Sequence, residues 1–144
     1  MTDVQETLRI TRTLDVPRER VWRAWTQPEE LAQWWWPERF QTTYQVDLRE
    51  GAQYRFRTAN LPDLGVLSLT GRFLEVYPPE RLVYTWQWEN GDERPTRVSV
   101  DLEERDARTE IHLTHEGFAD NQERENHVLG WTHCLDRLQT CLAG

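Results

Sequence analysis

The chain has 144 residues, of which 38% are hydrophobic and 29% are charged, and its formal net charge is −8. This length suits one domain with its own core, and no apolar run approaches the roughly 20 residues of a membrane-spanning helix. All basic residues are Arg, and acidic residues outnumber them after residue 57, which argues against a nucleic-acid-binding protein because such proteins need clustered positive charge.

The first part of the chain predicts one strand followed by two short helices. Residues 1–6 are polar and acidic, unlike a signal peptide, so we expect a cytoplasmic protein. Residues 7–16 alternate between apolar and polar side chains, as in a half-buried strand, although Arg12 interrupts the apolar face. Pro17 is expected at the first position of a helix. A second helix is expected from Pro28 to the residues before Pro37, since the residue that precedes a proline avoids helical geometry.

Six further strands are predicted between residues 44 and 115, each with the alternation of a half-buried strand. Their inward positions are Tyr44, Val46 and Leu48, then Tyr54 and Phe56, then alternate residues of 66–76, then Leu82, Tyr84, Trp86 and Trp88, then Val98, Val100 and Leu102, and finally Ile111, Leu113 and His115. Gly71 disturbs the pattern of the long strand 66–76, which indicates a bulge or a close approach. A loop is expected at 60–65, and Asn90-Gly91 predicts a hairpin.

The last segment changes to a helical period. An N-cap at Asp120 or Asn121 is expected to begin a helix that runs to about Leu142. Its buried stripe is predicted to consist of Val128, Trp131, Leu135, Leu138 and Leu142. Gly130 lies inside this helix at a cost of about 1 kcal/mol relative to alanine, which indicates either a close neighbour or a bend. Cys134 and Cys141 are too far apart along a helix for a disulfide, so we expect two reduced core residues.

This order of elements predicts an α+β fold in one domain that spans residues 1–144. We expect a curved antiparallel sheet of six to seven strands to wrap around the long C-terminal helix, with two short helices after the first strand. Eight tryptophans are a heavy aromatic load for this length, and bulky groups on a curved sheet can line a cavity without filling it. Trp34, Trp35 and Trp36 cannot all point inward from one helical turn, so one of them is expected at the surface or at a cavity mouth.

We expect the cavity to bind a small hydrophobic or aromatic molecule. Its predicted wall consists of Trp25, Trp34, Trp35, Tyr54, Phe56, Phe73, Tyr84, Trp86, Trp88, Val98, Val100, His115, His127, Trp131 and Leu135. Arg12 and Glu75 are candidate polar groups of the cavity, and they are also candidate partners in an ion pair. A hydrogen-bonded structural role is the simpler interpretation of His115 and His127.

No catalytic constellation is visible in the sequence, so no catalytic residue, metal site or cofactor is predicted. His112 and His115 lie three apart on a strand and face opposite sides, while His127 and His133 lie six apart on a helix and do not share a face. Binding is therefore expected rather than catalysis. The alternatives are a cavity enzyme of the cyclase or hydratase kind, with His115, His127 or Arg12 as its polar groups, and a protein-interaction module that uses the acidic second half.

Segments along nearly the whole chain carry a recognisable signature, and they comprise residues 10–26, 28–29, 34–37, 47–56, 71–76, 78–86, 109–118 and 130–138. Together they resemble the bacterial domains similar to the activator of heat-shock-protein-90 ATPase, in the START-like (SRPBCC) superfamily. The resemblance implies a helix-grip fold and a cavity for apolar ligands such as lipids, sterols or polyketides. Trp36 and Ala52 stand where such domains commonly have glycine. A chaperone partner and a homodimer stay open as alternatives.

Overall fold

A computed structural model defines the fold for residues 6–37, 40–61, 65–89 and 95–143. The elements in chain order are β1 (Glu6–Leu14), α1 (Arg18–Thr26), α2 (Pro28–Trp34), β2 (Thr43–Val46), β3 (Gln53–Leu61), β4 (Gly65–Tyr77), β5 (Arg81–Trp88), β6 (Thr96–Arg105), β7 (Arg108–Phe118) and α3 (Asn121–Ala143). The predicted α+β helix-grip fold is confirmed, with two short helices after the first strand and one long C-terminal helix. None of the described helices combines the length and hydropathy needed to cross a bilayer.

The seven strands form one antiparallel sheet in the order β1-β7-β6-β5-β4-β3-β2. The first strand pairs with the last, so the chain leaves one edge of the sheet through α1 and α2 and re-enters at the other edge with β2. The helix α3 then packs against β1, β7 and α2. Strand β1 and helix α3, which come from opposite ends of the chain, therefore pack against each other.

The helix α3 is fixed by its cap and by its buried stripe. The carboxylate of Asp120 accepts a hydrogen bond of 2.8 Å from the backbone N–H of Glu123, which satisfies one of the free donors of the first turn. Four of the five predicted stripe residues are fully buried and Val128 is half-buried, so the predicted apolar face is confirmed; the four are Trp131, Leu135, Leu138 and Leu142. Cys134 and Cys141 are free thiols, as expected.

The structure corrects the predicted start of α1. Pro17 is the N-cap of α1 and not its first helical residue, because its backbone is extended, with ψ at 155°. Its carbonyl accepts the first hydrogen bond of the helix from the N–H of Arg20. The loop predicted at 60–65 is shorter than expected, because β3 continues to Leu61 and β4 begins at Gly65. Its residues 62–64 and the hairpin signal at Asn90-Gly91 lie outside the described residues.

The close approach predicted at Gly71 is confirmed. Gly71 lies directly opposite Tyr54 in the β3–β4 pair, and the Tyr54 hydroxyl donates a hydrogen bond to the backbone oxygen of Thr85 on β5. A Cβ atom on Gly71 would collide with that oxygen and with the Tyr54 ring. The irregularity of β4 lies further along, where the register with β5 shifts between Phe73 and Glu75.

Candidate functional site

An open pocket of about 240 Å³ lies between α3, the residues that follow α2, and β5. Its wall is mostly aromatic and has no charged carboxylate or guanidinium group among the described residues. The lining residues are Trp35, Trp36, Trp86, Trp88, Asn126, His127, Gly130, Trp131 and Cys134. Asn126 and Gly130 are exposed, so the pocket is in contact with solvent along this side of α3.

Trp36 and Trp88 form a stacked pair in the pocket wall. Their ring centroids are 6.1 Å apart and their planes differ by 20°. Trp34 and Trp35 are both buried, whereas Trp36 remains partly exposed. The expectation that one of the three consecutive tryptophans lies at the surface or at a cavity mouth is therefore confirmed, and Trp36 is that residue.

Behind the pocket, a buried hydrogen-bond chain fixes the orientation of His115. The indole N–H of Trp131 donates to His115 Nδ1 over 3.0 Å, so the ring proton lies on Nε2, which donates to Thr96 Oγ1 over 2.7 Å. The Thr96 hydroxyl in turn donates to the Trp86 carbonyl. Burial, assisted by the nearby His127, lowers the pKa of His115 from 6.5 to about 2. His115 is therefore a neutral, fully paired residue that links β7 to β6 and α3.

His127 lies at the pocket wall with both ring nitrogens in use. Its Nδ1–H donates to the carbonyl oxygen of Glu123 over 2.8 Å, because a carbonyl can only accept. Its Nε2 accepts the indole N–H of Trp88 over 3.2 Å. The second bond ties α3 to β5 beside the pocket. Since each nitrogen of His115 and of His127 already has a partner, neither ring offers a free base.

Side chains of α3 hold Trp35 in place through hydrogen bonds to backbone carbonyl groups. The guanidinium of Arg137 donates to the carbonyl oxygens of Trp34 and Trp35, and the Cys134 thiol donates to the Trp35 carbonyl over 3.0 Å. These donors satisfy carbonyl groups at the C-terminal end of α2, which have no partner within the helix. Burial raises the pKa of Cys134 to about 12, so this group is a neutral thiol and a poor nucleophile.

Two indole groups of the pocket wall lack a hydrogen-bond acceptor. The Nε1 atoms of Trp35 and Trp86 are buried and have no partner among the described residues. Other tryptophan N–H groups are paired: Trp25 donates to Tyr84, Trp34 to Ala24, Trp88 to His127 and Trp131 to His115. Both unpaired N–H groups are buried, so they are not exposed to the open pocket.

A second void lies between α1, α2 and strands β2 to β5, but its volume is only about 20 Å³. A space of this size holds about one water molecule. The rings of Tyr54, Phe56 and Tyr84 fill this region, with centroids of neighbouring rings 5.3 Å apart. The inner face of this part of the sheet is therefore packed with the protein's own aromatic side chains.

The residues predicted to line one cavity fall into three groups. Trp35, Trp86, Trp88, His127 and Trp131 line the open pocket. Trp25, Tyr54, Phe56, Phe73 and Tyr84 surround the small void, which Trp35 also borders. Neither space is lined by Trp34, Val98, Val100, His115 or Leu135, which are buried in the core. Four lining residues of the open pocket are absent from the predicted wall, namely Trp36, Asn126, Gly130 and Cys134. The only signal for Trp36 was that three consecutive tryptophans cannot all point inward.

Arg12 and Glu75, the candidate partners of an ion pair, do not pair with each other. Arg12 points to α3, where it forms an ion pair of 2.8 Å with Asp136. Glu75 pairs with Arg81 at 3.3 Å and with Arg97 at 3.6 Å. The register shift before Glu75 in β4 explains the error, since one extra residue moves the following side chains to the opposite face. Neither Arg12 nor Glu75 is among the residues that line the open pocket or the small void.

Three side chains of the kinds that can bind a metal ion lie close together on β6 and β7, away from the pocket. The ligand atoms of Glu103, Glu110 and His112 lie within 4.8 Å of one another. Sequence reasoning did not find this group because the residues meet through strand pairing, with Glu103 opposite Glu110. Arg105 already binds Glu103 at 2.7 Å, and all three side chains are partly exposed. These contacts describe a solvated ion-pair cluster, and we assign no function to it.

Gly130 is an exposed residue of the pocket wall and has no side chain to narrow the opening. A Cβ atom on Gly130 would have no heavy atom within 4 Å, so the interpretation that a close neighbour requires glycine is wrong. Glycine inside a helix is about 1 kcal/mol less favourable than alanine. We therefore expect Gly130→Ala to raise the free energy of unfolding by up to about 1 kcal/mol. Urea denaturation measures this change, and a loss of stability would contradict the open space seen at this position.

Comparison with known proteins identifies relatives of nearly the whole chain. The family model described as Activator of Hsp90 ATPase homolog 1-like protein matches residues 15–143. The structure is similar to protein CV1439 from Chromobacterium violaceum, with a TM-score of 0.86 and 29% identity over 96% of this chain and 97% of that chain. It is also similar to CalU16 from Micromonospora echinospora, with a TM-score of 0.72 and 26% identity over 93% of this chain and 74% of that chain. A protein from Rhizobium leguminosarum gives a TM-score of 0.78 and 25% identity over 95% of this chain and 93% of that chain. No protein with a curated description matches the sequence significantly.

Proposed function

The chain belongs to the family of activator of Hsp90 ATPase homolog 1-like proteins, and on this basis we propose that it binds a small hydrophobic or aromatic molecule in the open pocket between α3 and β5. The fold of this family is in general a scaffold for ligand binding. A fold alone does not determine function, so the proposal depends on the pocket itself.

The observation that carries the proposal is a space of about 240 Å³ in contact with solvent and walled by five tryptophans. Small-molecule sites are typically about 300–1,000 Å³ and mostly apolar, with a few polar groups. The pocket lies just below that range, so it suits a ligand of one or two rings. The smaller void of about 20 Å³ is too small for any organic ligand, so binding is proposed at the open pocket alone.

Blocking the pocket tests the proposal. The Gly130→Phe variant places a large side chain where a Cβ would enter open space, so we expect it to weaken ligand binding about tenfold or more, a free-energy change of about 1.4 kcal/mol. The probes are neutral naphthalenes, and the readouts are tryptophan fluorescence and the shift in melting temperature.

The matched control is Leu129→Phe, which adds the same ring at a residue that is 62% exposed and does not line the pocket. This control is expected to bind the probes as the wild-type protein does. Equal affinity of the two variants would place binding elsewhere. If no probe of the panel changed fluorescence or melting temperature, ligand binding would have to be abandoned.

The hydrogen bonds support binding over the cavity-enzyme alternative. The nitrogens of His115 and His127 are all paired, and Arg12 pairs with Asp136 on α3. A general acid or base must be within reach of the group from which it takes, or to which it gives, a proton. The histidine nitrogens are therefore already engaged, and Arg12 is not among the residues that line the pocket.

Association with a chaperone is a second candidate, favoured by the name of the matching family. The net charge of −8 provides an acidic surface for such a partner. ATP hydrolysis by an Hsp90-type chaperone, measured with a saturating excess of this protein at low salt, decides the question. An unchanged rate together with no complex in sedimentation would reject this function, and the same sedimentation experiment measures any homodimer.

A further inference from the structure

A hydrogen bond between two side chains of the pocket wall joins α3 to β5. The indole N–H of Trp88 donates to Nε2 of His127 over 3.2 Å. Both residues line the open pocket and both are partly exposed, so solvent reaches this part of the wall. Trp88 also stacks on Trp36, with ring centroids 6.1 Å apart. The bond therefore holds in place an accessible indole ring that is part of the proposed binding surface.

This hydrogen bond exists only while His127 is neutral. The Nδ1–H group of His127 donates to the carbonyl oxygen of Glu123 over 2.8 Å, so Nε2 is the ring nitrogen without a hydrogen. A proton can add only at Nε2, and the resulting imidazolium has two donors and no acceptor. The N–H groups of His127 and Trp88 would then point at each other, and the indole would have to turn away.

The other rings around His127 do not change charge in the same pH range. Its ring is in contact with Trp86 and Trp88 of β5 and with His115 and Phe118 of β7. Of these four residues only His115 is titratable, and its ring centroid lies 5.4 Å from that of His127. Burial, assisted by the nearby His127, lowers the pKa of His115 to about 2, so His115 is still neutral at pH 5.

The charged groups that precede His127 on α3 already have partners. The carboxylate of Glu123 accepts the backbone N–H of Ala119, and Arg124 forms an ion pair with Glu125. The described residues that line the pocket include no carboxylate. A positive charge on His127 would therefore lack a countercharge in the pocket wall, and a neutral apolar molecule that covered the ring would remove its hydration, which is costly.

We propose that His127 is a pH switch of the open pocket, and that its protonation weakens the binding of neutral aromatic molecules. This inference depends on the proposed binding function and adds the regulation of the same site. Loss of the hydrogen bond frees Trp88, which a ligand must then order again, and the new charge opposes an apolar ligand. Histidine side chains typically change charge between pH 8 and pH 5, and the partial exposure of His127 gives solvent protons access to it.

The affinity for a neutral probe at several pH values tests the switch. 2-Acetylnaphthalene has no group that ionises in this range, so a change in its affinity reports on the protein. Equilibrium dialysis at pH 8, 7, 6 and 5 is expected to show binding about tenfold weaker at pH 5 than at pH 8. Circular dichroism at each pH verifies that the measured protein is folded.

Substitution of the histidine identifies the switch. His127→Gln is neutral at every pH, and its amide oxygen is able to accept the indole N–H of Trp88. This variant is expected to bind the probe equally at pH 8 and pH 5. His133→Gln is the matched control, because it removes an exposed histidine of the same helix that does not line the pocket, and it is expected to keep the tenfold difference. A pH dependence that is the same in His127→Gln as in the wild-type protein would overturn the assignment to His127.

An NMR titration of the protein without a probe tests the hydrogen bond itself. The indole N–H resonance of Trp88, assigned by its absence in Trp88→Phe, is expected to move between pH 8 and pH 5 in the wild-type protein and to stay in place in His127→Gln. A resonance that stays in place in the wild-type protein would overturn the switch, even if the glutamine variant did not fold. Equal affinity of the wild-type protein at pH 8 and pH 5 would overturn the switch and leave the binding function intact, whereas a lack of binding at every pH would overturn both.

Discussion

Between pH 7 and pH 5 the protein is expected to lose about 2 kcal/mol of stability through His115 alone. The pKa of this histidine falls from 6.5 in the unfolded chain to about 2 in the folded protein, because the ring is buried and lies near His127. Below pH 6.5 the unfolded chain therefore binds a proton that the folded protein does not. Stability is full above this pH and falls by about 1.4 kcal/mol for each pH unit below it, as far as the folded pKa.

The matched variant is His115→Gln, which is neutral at every pH and can still accept from Trp131 or donate to Thr96. Urea denaturation of both proteins at pH 7, 6 and 5 gives the comparison. Most carboxylates stay ionised over this range, and the other histidines are common to both proteins. The wild-type protein is expected to lose about 2 kcal/mol more than the variant. Parallel pH profiles would show that His115 is protonated in the folded state, contrary to its hydrogen bonds.

This histidine also shows how far the sequence could be interpreted. Strand alternation placed His115 on the inward face of β7, and the structure confirms that face because a period of two fixes the side of each residue. The alternation could not predict its partners, since Thr96 and Trp131 lie 19 and 16 residues away in the chain. The same limit explains the error at Arg12, whose partner Asp136 is 124 residues away.

The size and place of the pocket were also beyond the sequence. Inward aromatic residues on β3 and β5 predicted a cavity, but whether such rings line or fill a space depends on packing at the scale of a single methyl group. Here Tyr54 and Tyr84 interlock with a centroid distance of 5.3 Å, so little space remains between them. The open space lies instead beside Gly130 of α3, which has no side chain to fill it. The composition and the periodicity of the sequence do not reveal the effect of this one residue.

Substitution of Gly71 by alanine is expected to lower the free energy of unfolding by about 3 kcal/mol, at the upper end of the usual cost of overpacking. The added Cβ would meet the backbone oxygen of Thr85 and the ring of Tyr54. The Thr85 oxygen belongs to β5, so it cannot move without disturbing the β4–β5 pairing. The Tyr54 ring is held by its hydrogen bond to that same oxygen, so neither neighbour gives way cheaply.

Gly130→Ala is the control for this experiment, because it is the same chemical change at a position where a Cβ meets nothing within 4 Å. Urea denaturation at neutral pH is expected to give changes of opposite sign, a large loss at Gly71 and a small gain at Gly130. Intrinsic preference cannot produce a loss at Gly71, since alanine restricts the unfolded chain more than glycine does. A loss there must come from the collision, and a stability equal to that of the wild-type protein would show that β4 and β5 can separate at this point without cost.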